Sequence, residues 1–203
     1  MANRSYHHGD LEAALRQSAM EVIEHHGLAS LALRDLARTI GVSPSAAYRH
    51  FPSRDHLVAA LSLDARQQLA SAMLEARDAV PTTGTKVTRS IRRFEATGRT
   101  YVRFAVRHPH LFEVAFTPCP VPPPAPEQPN AWGVLVEAVD EMVATGAIPR
   151  GRRDDAPLIG WAAVHGLATI LTASQLPSEP GVHQAGAEAM LDTVIAGVVR
   201  SLR

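Results

Sequence analysis

An all-α fold of about nine helices is predicted for this chain on three observations. Apolar residues recur at helical spacing from Leu11 to Leu202, and no stretch alternates apolar and polar residues as a half-buried strand would. Glycines and prolines interrupt that periodicity at intervals that suit short and medium helices. Hydrophobic residues make up 46% of the 203, enough to bury a core in one large domain or in a small domain joined to a larger one.

Leu11, Leu15, Val22, Ile23 and His26 fall on one face of a first helix, with Asp10 as its cap and Gly27 as its stop. Leu33, Leu36, Ala37 and Ile40 define a second, short helix that ends at Gly41. Ser43-Pro44 opens a third. Ser43 stands at the N-cap, and Pro44 takes the first helical position, where no N–H is needed. This helix ends near Phe51-Pro52. Ser53 caps a long fourth helix, reaching about residue 79. After the break at 81–84, a fifth helix over about 86–108 carries Phe94, Tyr101 and Phe104. Pro109 starts a short sixth helix through Phe116. Residues 117–130 hold seven prolines and read as an extended loop. A seventh helix covers about 131–145, and the segment 146–155 is polar and rich in arginine. Two final helices cover about 157–174 and 183–202.

Composition narrows the function classes. Formal net charge is zero, so electrostatics alone gives no sign of a nucleic-acid partner. Lys86 is the only lysine. Arginine suits bidentate contacts to guanine and phosphate, although a GC-rich coding bias explains the skew equally well. Cys119 stands alone, which excludes an intrachain disulfide and fits a reducing, cytoplasmic setting. Residues 1–10 are polar and contain no signal-peptide apolar run. Residues 158–174 hold one titratable side chain, His165. That run is slightly short for a membrane span and reads as a buried helix. No Gly-rich phosphate loop, nucleophile motif or carboxylate pair tied to a histidine points to an enzyme. His25 and His26 diverge by about 100° on a helix. His108-x-His110 is a possible chelate without a supporting carboxylate or thiol cluster. No metal and no cofactor are expected.

The informative segment is Leu31 to Leu57, LALRDLARTIGVSPSAAYRHFPSRDHL. Two short helices joined at Gly41 have the shape of a helix-turn-helix. Gly41 permits the positive φ of the turn. Ala37 lets the helices cross closely, and Ile40, Val42, Ala47 and Phe51 form a local core. Pro44, Ser45, Ala46, Tyr48, Arg49 and His50 remain on the third helix, which suits entry into a major groove by its N-terminal end. Residues 1–56 hold six arginines and six acidic residues, so DNA affinity must come from placement.

Ala37-x-x-x-Gly41-Val42-Ser43, then Tyr48-x-His50-Phe51, then Arg54 and Leu57, resembles the signature of the TetR family of transcriptional regulators. YHHGDL, Tyr6 to Leu11, resembles the lead-in of one branch of that family. The resemblance implies a helix-turn-helix DNA-binding domain over 1–56. It implies a helical effector-binding and dimerisation domain over 57–203. The DNA-contacting set would be Arg34, Ser43, Pro44, Ser45, Ala46, Tyr48, Arg49, His50 and Arg54. Tyr48 and Arg54 would hold phosphates, Arg54 standing where lysine is commoner. Ser45 and Ala46 fall where base edges are read, and Arg34 falls where it can reach a guanine. Two departures matter. Ala32 stands where serine or threonine usually caps the second helix, and Ala46 can touch only a thymine methyl.

The last helix carries two apolar stripes, Met190-Val194-Gly197-Val198 and Leu191-Ile195-Val199-Leu202. One can face the core; the other needs a partner, and a second copy of the chain is the obvious one. Trp161 through His165 to Gly166 resembles the Trp…His-Gly motif of the WHG class of C-terminal domain in this family. Trp161 and His165 share a helix face. They either line an effector pocket or pack as core. The expected pocket set is Phe94, Tyr101, Phe104, Phe112, Phe116, Trp132, Trp161 and His165, and the expected effector is small and apolar or aromatic. The whole reads as a homodimeric, ligand-responsive regulator of a palindromic double-stranded DNA operator, repression being the expected mode. A helix-turn-helix protein that responds to no small molecule, and a metal-responsive sensor, are the alternatives.

Overall fold

The structure is a computed structural model that describes residues 8–121, 130–172 and 184–203. Among these residues lie nine α-helices and no strand: α1 (His8–His26), α2 (Leu33–Thr39), α3 (Pro44–His50), α4 (Arg54–Asp78), α5 (Lys86–Arg107), α6 (Pro109–Phe116), α7 (Ala131–Thr145), α8 (Ala156–Thr172) and α9 (Gln184–Leu202). Two 3-10 turns, Leu28–Ser30 and Arg150–Arg152, fall in segments without a periodic pattern. The all-α class is the one expected. Most of the proline-rich loop and the YHHGDL lead-in up to His7 lie outside the described residues. The loop's first residues, 117–121, are not helical.

Contacts divide the chain into two compact units, residues 1–66 with 108–126, and residues 67–107 with 127–203. α4 contributes its first half to one unit and its second half to the other. This grouping differs from the functional division expected at 56/57, because α6 packs with α1.

In the first unit α1 meets α2, α3, α6 and the turn at Leu28–Ser30. Leu15, Ala19 and Ile23 are fully buried along its inner face. His26, expected on that face, is exposed at the helix end, and the following Gly27 is buried instead. Leu36, Ala37, Ala47, Phe51, Leu57, Leu61, Leu111 and Val114 complete the core. Polar ties fix the elements. Arg16 donates to Asp64 through Nε at 2.8 Å and also through Nη2. The Ser62 hydroxyl donates to the Ala115 carbonyl at 3.1 Å. His108 Nδ1 donates to Glu24 at 2.7 Å.

In the second unit α5 packs against α7, α8 and α9. The core gathers Phe94, Leu135, Val139, Met142, Ile148, Val198, Val199 and Leu202. α5 is rich in arginine, yet it lies at the centre of its unit. Three of its arginines are met from neighbouring helices: Arg93 by Glu141 at 3.0 Å, Arg103 by Glu188 at 2.7 Å, and Arg99 by Asp192. α7 starts at Asn130, whose side chain accepts from the Gly133 N–H at 2.8 Å, and stops at Gly146 in the left-handed conformation.

Candidate functional site

α3 is positioned by three local devices. Ser43 is extended, and its Oγ accepts from the Ala46 N–H at 3.2 Å; Pro44 follows at the first helical position. Gly41 has φ +76°, and the site of a Cβ there is open space. Backbone conformation, rather than crowding, therefore requires the glycine. Ala47 and Phe51 anchor the inner side of the helix, while Ile40 and Val42 are half-buried. The opposite side presents Ser43, Pro44, Ser45, Tyr48 and Arg49 to solvent, Tyr48 being 40% exposed. Ala46 is half-buried. His50 is turned inward, with Nδ1 4.0 Å from the Glu12 carboxylate.

Beside α3 lies an open concavity lined by Leu31–Asp35, Arg38, Tyr48 and Arg54. It brings together Arg34, Tyr48 and Arg54 from three helices, and adds Arg38, which sequence reasoning missed. Arg38 recurs one turn after Arg34 on the exposed face of α2. It pairs with Asp35 at 2.7 Å, both side chains being well exposed. α2 has no side-chain cap at Ala32, as its sequence implied. Arg54 is braced from behind: Nη2 donates to the Leu28 carbonyl at 2.7 Å and Nε to the Leu31 carbonyl at 3.2 Å. A guanidinium has five N–H groups in a fixed fork, so these two bonds orient it and leave others to donate. Exposed cations, a phenol, and hydroxyls on a helix with a free outer face form a surface that can engage phosphates and base edges.

A second site lies wholly within the other unit. Met73, Phe94, Thr97, Gly98, Tyr101, Leu135, Gly160, Trp161, Val164, Ile195 and Val198 line a narrow apolar cavity. Its enclosed volume is about 10 Å³, room for roughly one water. The Thr97 hydroxyl donates to the Phe94 carbonyl at 2.7 Å, and the Tyr101 hydroxyl bonds His165 Nδ1 at 2.8 Å. Burial raises the Tyr101 phenol well above its usual pKa and lowers that of His165. The pair is therefore a neutral phenol and a neutral imidazole. Trp161 stacks on His165 with ring centroids 6.0 Å apart, and meets Tyr101 edge-on at 5.2 Å and Trp132 at 5.8 Å.

Of the eight residues expected in a pocket, Phe94, Tyr101 and Trp161 line this cavity. His165 and Trp132 stand behind Trp161, and Trp132 is 44% exposed. Phe104 is buried in α5 away from the lining. Phe112 and Phe116 belong to the first unit, their rings packed at 4.9 Å. Met73, Thr97, Gly98, Leu135, Gly160, Val164, Ile195 and Val198 were missed: nothing in their spacing marks them out from ordinary core. Among the described residues no helix is long and apolar enough to cross a membrane. Among them, too, no group of three or more His, Cys, Asp or Glu side chains is arranged to hold a metal.

Comparison with known proteins places both halves of the chain. Residues 15–61 match the family described as bacterial regulatory proteins, tetR family. Residues 94–194 match a tetracyclin repressor-like C-terminal domain. The HTH-type transcriptional regulator Mb1846 of Mycobacterium bovis is 40% identical over 68 residues, which is 34% of this chain and 29% of that protein. The match thus spans under a third of that relative's length. A solved structure from Rhodococcus sp. RHA1, of a protein of unknown function, is 26% identical, with TM-score 0.73 over 99% of both chains. A TetR variant from Acinetobacter baumannii AYE, solved in complex with minocycline, shares the fold at 20% identity. Its TM-score is 0.58, over 100% of this chain and 99% of that one.

Proposed function

The chain belongs to the TetR family of bacterial transcriptional regulators, and from that premise we propose that it is a homodimeric, ligand-responsive repressor of a palindromic operator. It acts in the cytoplasm, where the bacterial chromosome lies. The observation that carries this reading is the solvent-facing side of α3, with the concavity of Arg34, Tyr48 and Arg54 beside it. Ser45, Ala46 and Arg49 read base edges from the N-terminal end of α3, and Arg34 reads from α2. Tyr48 and Arg54 hold phosphates; Ser43, Pro44 and His50 frame the helix. Residues 1–56 serve as the DNA-binding part and 57–203 as the effector-binding and dimerisation part.

Self-pairing is supported by an apolar face on the two last helices. Leu158 is 63% exposed, Ile170 51% and Met190 38%, with Val194 and Gly197 half-buried beside Met190. Two-fold pairing of the protein is matched by a palindrome in the DNA. The effector is small, neutral and apolar or aromatic. The cavity offers it carbon surface, while its two hydroxyls are already bonded. A charged ligand would enter without a partner. Effector binding releases DNA only through its unequal affinity for the bound and released conformations.

The test selects bound fragments from the source genome and measures affinity for the recovered sequence against salt. Tyr48→Phe is expected to weaken all sequences alike. Arg54→Gln is expected to weaken them and to flatten the salt dependence by about one unit. Recovered fragments without a shared inverted repeat would overturn the operator reading.

A further inference from the structure

A methyl group placed at Gly98 would lie 2.6 Å from Ile195 Cδ1 and 3.4 Å from Val164 Cγ1. The first distance is shorter than carbon atoms tolerate. Gly98 lies in the interior of α5, where glycine is disfavoured relative to alanine, and its φ is not in the left-handed region. Close approach is therefore its evident use. The side chain that approaches is a flexible one: Ile195 enters from α9 by its terminal methyl. Ile195 is 1% exposed, and Gly98 and Ile195 both line the apolar cavity.

We propose that Ile195 is the plug of this cavity, seated in the socket left by Gly98, and that a neutral aryl compound binds by displacing it. The proposal rests on the reading above that the cavity takes an effector. Its logic is steric. The enclosed space is only about 10 Å³, far below what a drug-sized ligand occupies, so a planar ring fits only where a wall residue gives way. The walls differ in what would have to move. Phe94, Leu135 and Val198 are part of the packed core of their unit. Trp161 is held by stacking on His165 and edge contacts to Tyr101 and Trp132. The Ile195 methyl is a chain end resting against a backbone without a side chain. Displacing it vacates volume next to the existing space and lines the enlarged site with carbon.

A consequence follows for α9. Its inner side carries Ile195 and Val198, and its outer side carries Met190, Val194 and Gly197. Ile195 is 1% exposed, so its displaced side chain has no open space to turn into unless α9 shifts with it; ligand binding and pairing are then linked, each altering the other by the same factor.

The chain's two tryptophans, Trp132 and Trp161, both belong to the aromatic cluster at the cavity, so tryptophan emission reports on it. The probe is naphthalene, with naphthoate as its charged counterpart. Naphthalene is expected to shift the emission saturably and naphthoate is not. Ile195→Ala should tighten naphthalene by about tenfold, because the closed conformation no longer competes. The double variant Gly98→Ala/Ile195→Val moves one methyl from a mobile side chain to a fixed one with volume conserved. It is expected to fold normally and to lose naphthalene binding. In the wild type, naphthalene should also speed hydrogen exchange of the α9 amides around Ile195. The plug is overturned if the double variant binds like wild type, or if naphthalene binds with α9 exchange unchanged; either result leaves the cavity reading standing. No binding by wild type and Ile195→Ala alike removes the cavity itself. Naphthoate binding as tightly as naphthalene overturns the neutral ligand class.

Discussion

On α3 and the start of α2, Ser43, Ser45, Tyr48, Arg34 and Arg49 stand in solvent, and Arg54 is braced with donors to spare. In the cavity walled by the second half of α4 and by α5, α7, α8 and α9, the Thr97 hydroxyl and the Tyr101 phenol are already bonded inside the protein. The contrast teaches what each surface can recognise. A surface with unfilled hydrogen-bonding capacity discriminates among partners that are themselves polar, because a wrong partner leaves groups unpaired. A cavity whose polar atoms are satisfied discriminates by size and shape, and against charge. On the proposed function, one chain thus carries a chemical reader and a steric one, in separate packing units.

The largest effect is expected at Phe94, 3% exposed and part of both the cavity wall and the core cluster. Phe94→Ala should destabilise the fold by about 3–5 kcal/mol in chemical denaturation. A loss under about 1 kcal/mol would mean that the cavity collapses around the gap and that its shape is not held. Next in size is the reader. Arg34→Ala or Arg49→Ala should each cost about 1–3 kcal/mol at particular base pairs of the operator, with stability unchanged. A panel of single-base operator variants measures this. An unchanged ranking would move sequence reading to other residues or to DNA shape.

A smaller effect separates the two helices of the helix-turn-helix. α3 has the Ser43 cap and α2 has none at Ala32. Ala32→Ser should stabilise by roughly 1 kcal/mol, and Ser43→Ala should cost about as much. Equal denaturation midpoints for all three proteins would show that caps do not limit this unit. The smallest effect is at His165. Burial keeps its folded pKa below the ordinary histidine value of 6.5, so below that pH the unfolded chain binds the proton first. Stability should fall as pH drops from about 6.5 towards the folded value and level off beneath it. His165→Gln should remove that component, read as the wild-type minus variant difference across a pH series.

These features were unequally legible in the sequence. Ser43, Pro44 and Gly41 act within three or four residues of themselves, so the turn and its cap could be read from the letters. The bond from Tyr101 to His165 spans 64 positions and that from Glu24 to His108 spans 84. The seat of Ile195 on Gly98 joins helices that only the fold brings together. Aromatic residues drew attention as pocket candidates because of their size, yet size is equally the mark of core. Phe112 and Phe116 therefore entered the expected pocket although they pack in the other unit. Gly98 is informative only when its neighbour is known.

The association of α6 with the first unit bears on how the chain is made. Residues 1–66 leave the ribosome without His108–Phe116, yet α1 and the turn after it pack against α6. Leu111 and Val114, 6% and 0% exposed, belong to that closure. All of residues 67–107 must be synthesised first, which takes a few seconds at about 5–20 residues per second. During that interval the inner face of α1 has no α6 to cover it. The unit that carries the helix-turn-helix thus begins to emerge before α6 exists, and it completes its core only once His108–Phe116 has been translated.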